Sequence, residues 1–408
     1  FFTLLDDQNR PVPVQKVQSW ATAGGQHRLA FIADLPALGY RTYRIVPKTP
    51  PSVEQTITYT APATLENQRF RLTLDPETGG IASLYDKRHG IEVFGGLAAL
   101  PVVIDDPSDT WSHNVLRFQD EIGTFEAVKI ELAECGPVRV TLRVTSTYGQ
   151  SSLVQDFRLY AGLDQIDVLA MVDWHEHQKL VKLCFETNPG FTRATYEIPY
   201  GSIERDSGGD EEPGQSWLDL TGTASETGAA YGVSLLNDGK YSFDVNEHRI
   251  GLTVLRSPVY AHHIPAQPEP GQPYSYIDQG VQHFTYSLLP HAGPWETAGS
   301  VQRAAELNQR PTLLLATSHQ GPLPQAASYL EVEPPAIVVS AVKQAEDGDD
   351  LILRCYETAR AATAARISLP AWNRVIEAQF GPCEIKTFRV PRDASQPVLE
   401  TNLLEDDE

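Results

Sequence analysis

Methionine is almost missing from this sequence: Met171 is the single one in 408 residues, and the chain opens on Phe1 without an initiator. The start has neither a basic segment nor a small-residue cleavage site, so it does not read as a signal peptide. It reads as a cut inside a longer polypeptide. No apolar stretch approaches the ~20 residues that cross a bilayer as a helix. Cysteine is also scarce. Cys135, Cys184, Cys355 and Cys383 are far apart and form no CxxC pair, which argues against a zinc ribbon or a dithiol redox motif. Reduced thiols in a cytoplasmic protein are the expectation, with Cys184 a buried thiol inside the apolar run 180–185. Positive charge is in short supply: 32 Lys and Arg face 53 Asp and Glu, a net charge of −21. Such a surface repels phosphate backbones and argues against nucleic acid as a partner. The acidic clusters at 206–212 and 405–408 read as a solvated loop and tail. A Gly-rich phosphate loop, a GxSxG elbow and a dinucleotide fingerprint are all absent, which leaves those chemistries unsupported.

What the chain has in abundance is alternation. Arg69–Leu74 and Val138–Val144 switch between apolar and polar at every step, and Val154–Tyr160 and Ile166–Val172 repeat the pattern less strictly, the two-residue period of a half-buried strand. Asp75–Gly80 is a turn between strands, where Pro76 fixes φ and Gly79 and Gly80 are expected at left-handed angles. Asn237–Gly239 predicts another tight turn. One segment departs from this rule: from Pro294 to Arg310 the apolar residues recur every three to four positions, predicting one amphipathic helix stopped by Pro311. The fold class is therefore all-β. With 408 residues, more than one core is expected. Proline-rich stretches divide the chain into a leading β-module (1–52), a large central sandwich of two stacked antiparallel sheets (53–318) and a final β-sandwich module with an acidic tail (319–408).

Three constellations could carry chemistry. Glycoside cleavage with retention needs two carboxyl groups ~5–5.5 Å apart, and Glu204, Asp206, Asp210, Glu211 and Glu212 crowd together, though their Gly-rich setting suggests a mobile acidic loop. Asp173, His175 and His177 would share one face of a strand, a donor set zinc accepts; cross-strand partnering is the more ordinary role, so no metal is assigned to them. His262 and His263, adjacent in sequence, point apart if extended. The third is Arg256, Tyr260, Asp278 and Gln279 at the loop mouths. A guanidinium with a carboxylate can hold vicinal sugar hydroxyls, and a tyrosine can stack on or donate to a sugar. Equally, Asp278 could cap a turn and Arg256 could be a structural ion pair. Trp111, in the polar loop 109–113, is the tryptophan expected at the surface, while Trp20, Trp217 and Trp372 are expected in cores.

Seven stretches in series resemble the C-terminal β-region of α-mannosidases of glycoside hydrolase family 38: 35–43, 67–87, 172–182, 196–202, 215–219 with 234–261 and 277–291, 344–354 and 385–389. The resemblance covers nearly the whole chain. It implies a galactose-mutarotase-like supersandwich flanked by small β-modules, belonging to a retaining enzyme that removes terminal α-linked mannose. It also implies that the nucleophile and a divalent metal, usually zinc, lie in an N-terminal catalytic domain onto which no position here can be carried. This chain would hold no catalytic residue and no metal of its own. It would support the catalytic domain and any oligomer contacts, and a loop containing an arginine would reach the cleft; Arg256, Tyr260, Asp278 and Gln279 are placed there. A stand-alone carbohydrate-binding module around Trp111, and a mutarotase-type epimerase using His262 or His283, are the alternatives.

Overall fold

The computed structural model describes residues 2–17, 28–49, 51, 55–263 and 268–406; Trp20, expected in a core, lies outside them. Nearly every element is a strand, and all pairings are antiparallel. The centre is a nine-stranded sheet whose spine runs Glu126–Cys135, Arg139–Tyr148, Ser151–Tyr160, Ile166–Trp174, Gly280–Ala292, Ala230–Asn237 and Trp217–Thr223. A six-stranded sheet faces it, with Leu100–Asp105, Lys179–Glu186 and Arg249–Arg256 as neighbours, and a five-stranded sheet from Thr58 to Glu92 joins the same core. This is the large β-supersandwich that the resemblance implies.

The alternation explains the layering. Along Ile166–Trp174 every second side chain, from Ile166 to Trp174, is buried while the intervening ones are half-exposed. Inward residues of both sheets interlock, with Phe157, Val168 and Trp174 from one and Val181, Leu183 and Leu252 from the other. Each large apolar side chain removed from water contributes ~1.5–3 kcal/mol. The Lys179–Glu186 strand is buried almost throughout because its outer face is covered as well: Leu180 and Cys184 pack with Val102 and Ile104 beneath Phe118. Cys184 is thus the buried thiol expected.

Turn chemistry divides between prediction and correction. In the 75–80 turn the Asp75 carboxylate accepts from the backbone N–H of Thr78 (2.7 Å) and Glu77 (3.1 Å). Gly79 takes φ +73° as expected, but Gly80 does not. It is glycine because a Cβ there would lie 3.0 Å from the carbonyl oxygen of Ala98. Asn237 caps its turn by accepting from Lys240 N–H (2.7 Å), yet the flanking strands do not pair. The turn carries the chain from the nine-stranded sheet to the six-stranded one. The single helix expected over 294–310 is two pieces, Trp295–Ala298 and Ser300–Asn308, broken at Gly299 with φ +80°. Its apolar stripe docks as predicted: Trp295 and Ala304 pack on Trp217, Leu236 and Leu289.

Smaller sheets make up the rest of the described strands. The terminal module packs Glu331–Glu333, Thr363–Leu369 and Arg374–Phe380 on Ile337–Gln344, Leu351–Glu357, Ile385–Val390 and Leu399–Thr401, around Ile367, Leu353 and Phe388. Near the start, Gly39–Arg41 pairs with Ala326–Ser328.

Candidate functional site

Strand register gathers the predicted site residues. Asp105 pairs with Lys179 and Leu180 with Arg256, so the 105–120 loop leaves the six-stranded sheet at the same end as Arg256. Trp174 pairs with Gly280, which brings 275–279 to that end too. The loops after Arg256 and before Gly280 are laced into a ribbon: Tyr260 N–H donates to Ser275 O (2.8 Å) and Ile277 N–H to Pro258 O (3.2 Å).

Arg256 works as a clamp. Its Nε donates to Asp106 Oδ2 (2.8 Å) and its Nη2 to Ser108 Oγ (2.8 Å) and Asp109 O (3.1 Å), while Nη1 reaches Thr110 O (3.4 Å). Its guanidinium carbon also sits 5.1 Å from the centre of the Phe118 ring. Asp106 is 1% exposed and the Arg256 side chain 18%, so the pair is desolvated and its hydrogen bonds are strong. The guanidinium is committed to the 105–113 loop. Asp278, at φ +53°, accepts from Arg256 N–H (3.1 Å), and Gln279 Nε2 donates to Glu176 O (3.0 Å). Both order the loops. Tyr260, 68% exposed, is the member of the set that presents its ring to solvent.

Sequence reasoning missed a second group on the same loops. Trp111 is exposed, as expected, at 56%. It stands beside His113 and His263, with ring centres 6.1 and 5.7 Å away, and the two imidazoles are 4.6 Å apart. Asp109 lies beneath them. Its Oδ2 is 2.6 Å from His113 Nδ1, and its Oδ1 accepts from the backbone N–H of Trp111 and of His113, both at 3.1 Å. The Asp-x-x-x-His spacing was visible in sequence; His263 is remote and only the ribbon brings it in.

The two other constellations do not assemble a site. The strand ends at Trp174, His175 pairs with Asp173 (2.9 Å), and His177 stacks on Tyr276 at 3.7 Å, so these three do not converge. Four of the five acidic residues expected in a mobile loop, Glu204, Asp210, Glu211 and Glu212, are held by cations. Glu211 and Asp244 both bind Lys182, Asp210 pairs with Arg117, Glu204 with Arg360 (2.8 Å) and Glu212 with Arg205 (3.3 Å). Burial pushes the Lys182 ammonium down, but the two carboxylates outweigh it and leave its pKa raised. His262 packs its ring edge-on against Tyr274, and His283 is exposed on the Gly280–Ala292 strand.

The architecture defines a multi-module β-supersandwich with the 105–120, 256–263 and 275–279 loops gathered at one end. Residues 65–269 match the model of the glycosyl hydrolases family 38 C-terminal domain, and residues 336–388 that of the glycosyl hydrolases family 38 C-terminal beta sandwich domain. The chain belongs to this family, as its C-terminal region. It is 31% identical over 376 residues to alpha-mannosidase 2C1 of Homo sapiens, covering 84% of this chain and 33% of that protein. It is 28% identical over 373 residues to alpha-mannosidase G of Dictyostelium discoideum, covering 80% and 32%. The chain thus spans about a third of the length of these relatives. The solved structure of an alpha-mannosidase from Enterococcus faecalis V583 shares the fold with a TM-score of 0.76 at 14% identity, over 96% of this chain and 51% of that one.

Proposed function

We propose that the chain is the non-catalytic C-terminal portion of a retaining α-mannosidase, an enzyme that removes terminal α-linked mannose and holds a divalent metal, zinc, in a separate catalytic domain. The observation that carries this reading is the gathering of the 105–113, 256–263 and 275–279 loops at one end of the sandwich, on a chain of this family. The relatives named above as alpha-mannosidases support the substrate class. In this reading the loops form one wall of the cleft. Arg256, Asp278 and Gln279 set its shape, while Tyr260 and Trp111 meet the sugar through stacking and a phenolic hydrogen bond. Leu313, Leu314 and Leu315 are consecutive and highly exposed, which suits a surface covered by a partner domain. Four free thiols suit a cytoplasmic protein, and no helix among the described residues is long and apolar enough to cross a membrane.

The test is hydrolysis of an aryl α-mannoside by the 408-residue chain, with and without added zinc, beside its full-length parent. Activity confined to the parent is expected. Metal-dependent turnover by this chain alone would overturn the reading. Within the parent, Tyr260→Ala and Arg256→Ala are expected to raise KM for mannoside, and unchanged KM in both would remove these loops from the cleft.

A further inference from the structure

We infer that Asp109, His113 and His263 form a binding site for a divalent transition metal of the zinc type. Each residue offers one donor atom, and the three donors lie within 4.8 Å of one another. Two imidazoles and one carboxylate are the donor set of open zinc sites, whereas calcium and magnesium prefer oxygen throughout. Tetrahedral bonds of about 2.0–2.1 Å need donors roughly 3.3 Å apart. Entry of the ion therefore lengthens the 2.6 Å contact between Asp109 Oδ2 and His113 Nδ1, and both imidazoles that adjust are exposed on the outside of the fold. Asp109 is the fixed member. It is 5% exposed, and the two backbone N–H bonds to Oδ1 hold its carboxylate while Oδ2 faces His113.

The surrounding structure keeps the two loops in register, as a metal site requires. Arg256 anchors Asp106, Ser108 and the Asp109 carbonyl on one side. Thr110 then ties the ligand-bearing loops together: its hydroxyl donates to Val259 O (2.5 Å), its N–H donates to His262 O (3.2 Å), and His262 N–H donates back to its Oγ1 (3.1 Å). The residue after His262 is the third ligand, so Thr110 sets the separation between the two halves of the site. Three protein ligands leave a coordination position for water or a hydroxyl beside the exposed ring of Trp111. The site departs from the expectation that the chain holds no metal of its own. It rests on loop geometry alone and stands independently of the mannosidase reading.

The experiment is titration of the metal-stripped 408-residue chain with zinc chloride against a chromophoric chelator. One equivalent is expected to bind. His113→Ala and His263→Ala are each expected to raise the apparent Kd at least about 100-fold, since even outer-shell partners are worth 10–100-fold. His175→Ala and His177→Ala should leave it unchanged. Cobalt(II) in the unmutated chain supplies a readout that needs no variant to fold: intense visible bands of a four-coordinate ion, lost on zinc addition, support the site. Weak six-coordinate bands, or His113→Ala and His263→Ala titrating like the parent, would overturn it.

Discussion

Removing the guanidinium of Arg256 should unfasten the 105–113 loop. The Arg256→Ala substitution abolishes the ion pair to Asp106 together with the bonds to Ser108 Oγ, Asp109 O and Thr110 O. At 2.8 Å and an effective dielectric constant near 20, the gross attraction of the pair is about 6 kcal/mol. Desolvation of both charges offsets much of that in the native pair, but truncating one partner leaves the carboxylate of Asp106, 1% exposed, without its cation. Breaking a buried pair this way costs about 3–5 kcal/mol. Because the Arg256 side chain keeps 18% of its surface in water, the lower figure applies, about 3 kcal/mol. Urea unfolding followed by tryptophan fluorescence would read the loss as a fall in midpoint at constant slope. If the loop opens without the sandwich, amide exchange at Trp111 and His113 would rise by the same free energy. Asp106→Ala should cost a similar amount, and the double variant far less than the sum, a coupling of about 2 kcal/mol. Strict additivity, or a loss under about 0.5 kcal/mol in both measurements, would refute the clamp and return Arg256 to direct contact with a ligand.

Two other outcomes follow from buried groups. Asp86 is fully buried and receives Arg69 (3.2 Å), Tyr231 OH (2.6 Å) and His89 Nδ1 (3.0 Å); burial pushes its carboxyl up, but these partners outweigh it and hold the pKa below the ordinary aspartate value of 3.8. A depressed folded pKa stabilises above the unfolded value, so stability is lost as pH falls from about 5 through the depressed value. Asp86→Asn should flatten the acid limb of a stability–pH curve, and an unchanged limb would show that other carboxylates, such as Asp75 or Glu134, dominate it. Thiol labelling should divide the cysteines in half. Burial pushes Cys184 up to about 11 and Cys355 to about 12, so at pH 8 an aromatic disulfide should react quickly with Cys135 and Cys383, which are exposed, and with the other two only on unfolding. Four fast thiols in the native chain would contradict this packing.

The amino-acid sequence alone settled what depends on neighbours along the chain. Alternation in 69–74 and 138–144 made those segments strands, because side-chain direction on a strand reverses at every residue. Asp75, Pro76 and Gly79 announced their turn through local hydrogen bonding and backbone angles, and the stripe from Trp295 to Ala304 announced a docked helix. Its interruption at Gly299 was not legible, since glycine is tolerated within a helix and only the packed arrangement selects its left-handed angle. Tertiary structure alone decided the site. Whether Arg256 faces a ligand or Asp106 depends on which loop the pairing of Leu100–Asp105 with Lys179–Glu186 delivers to the same sheet end. His263 joins Asp109 and His113 only because Thr110 bridges two loops remote in sequence. Such convergence follows from strand register, which a stretch of sequence read by itself does not contain.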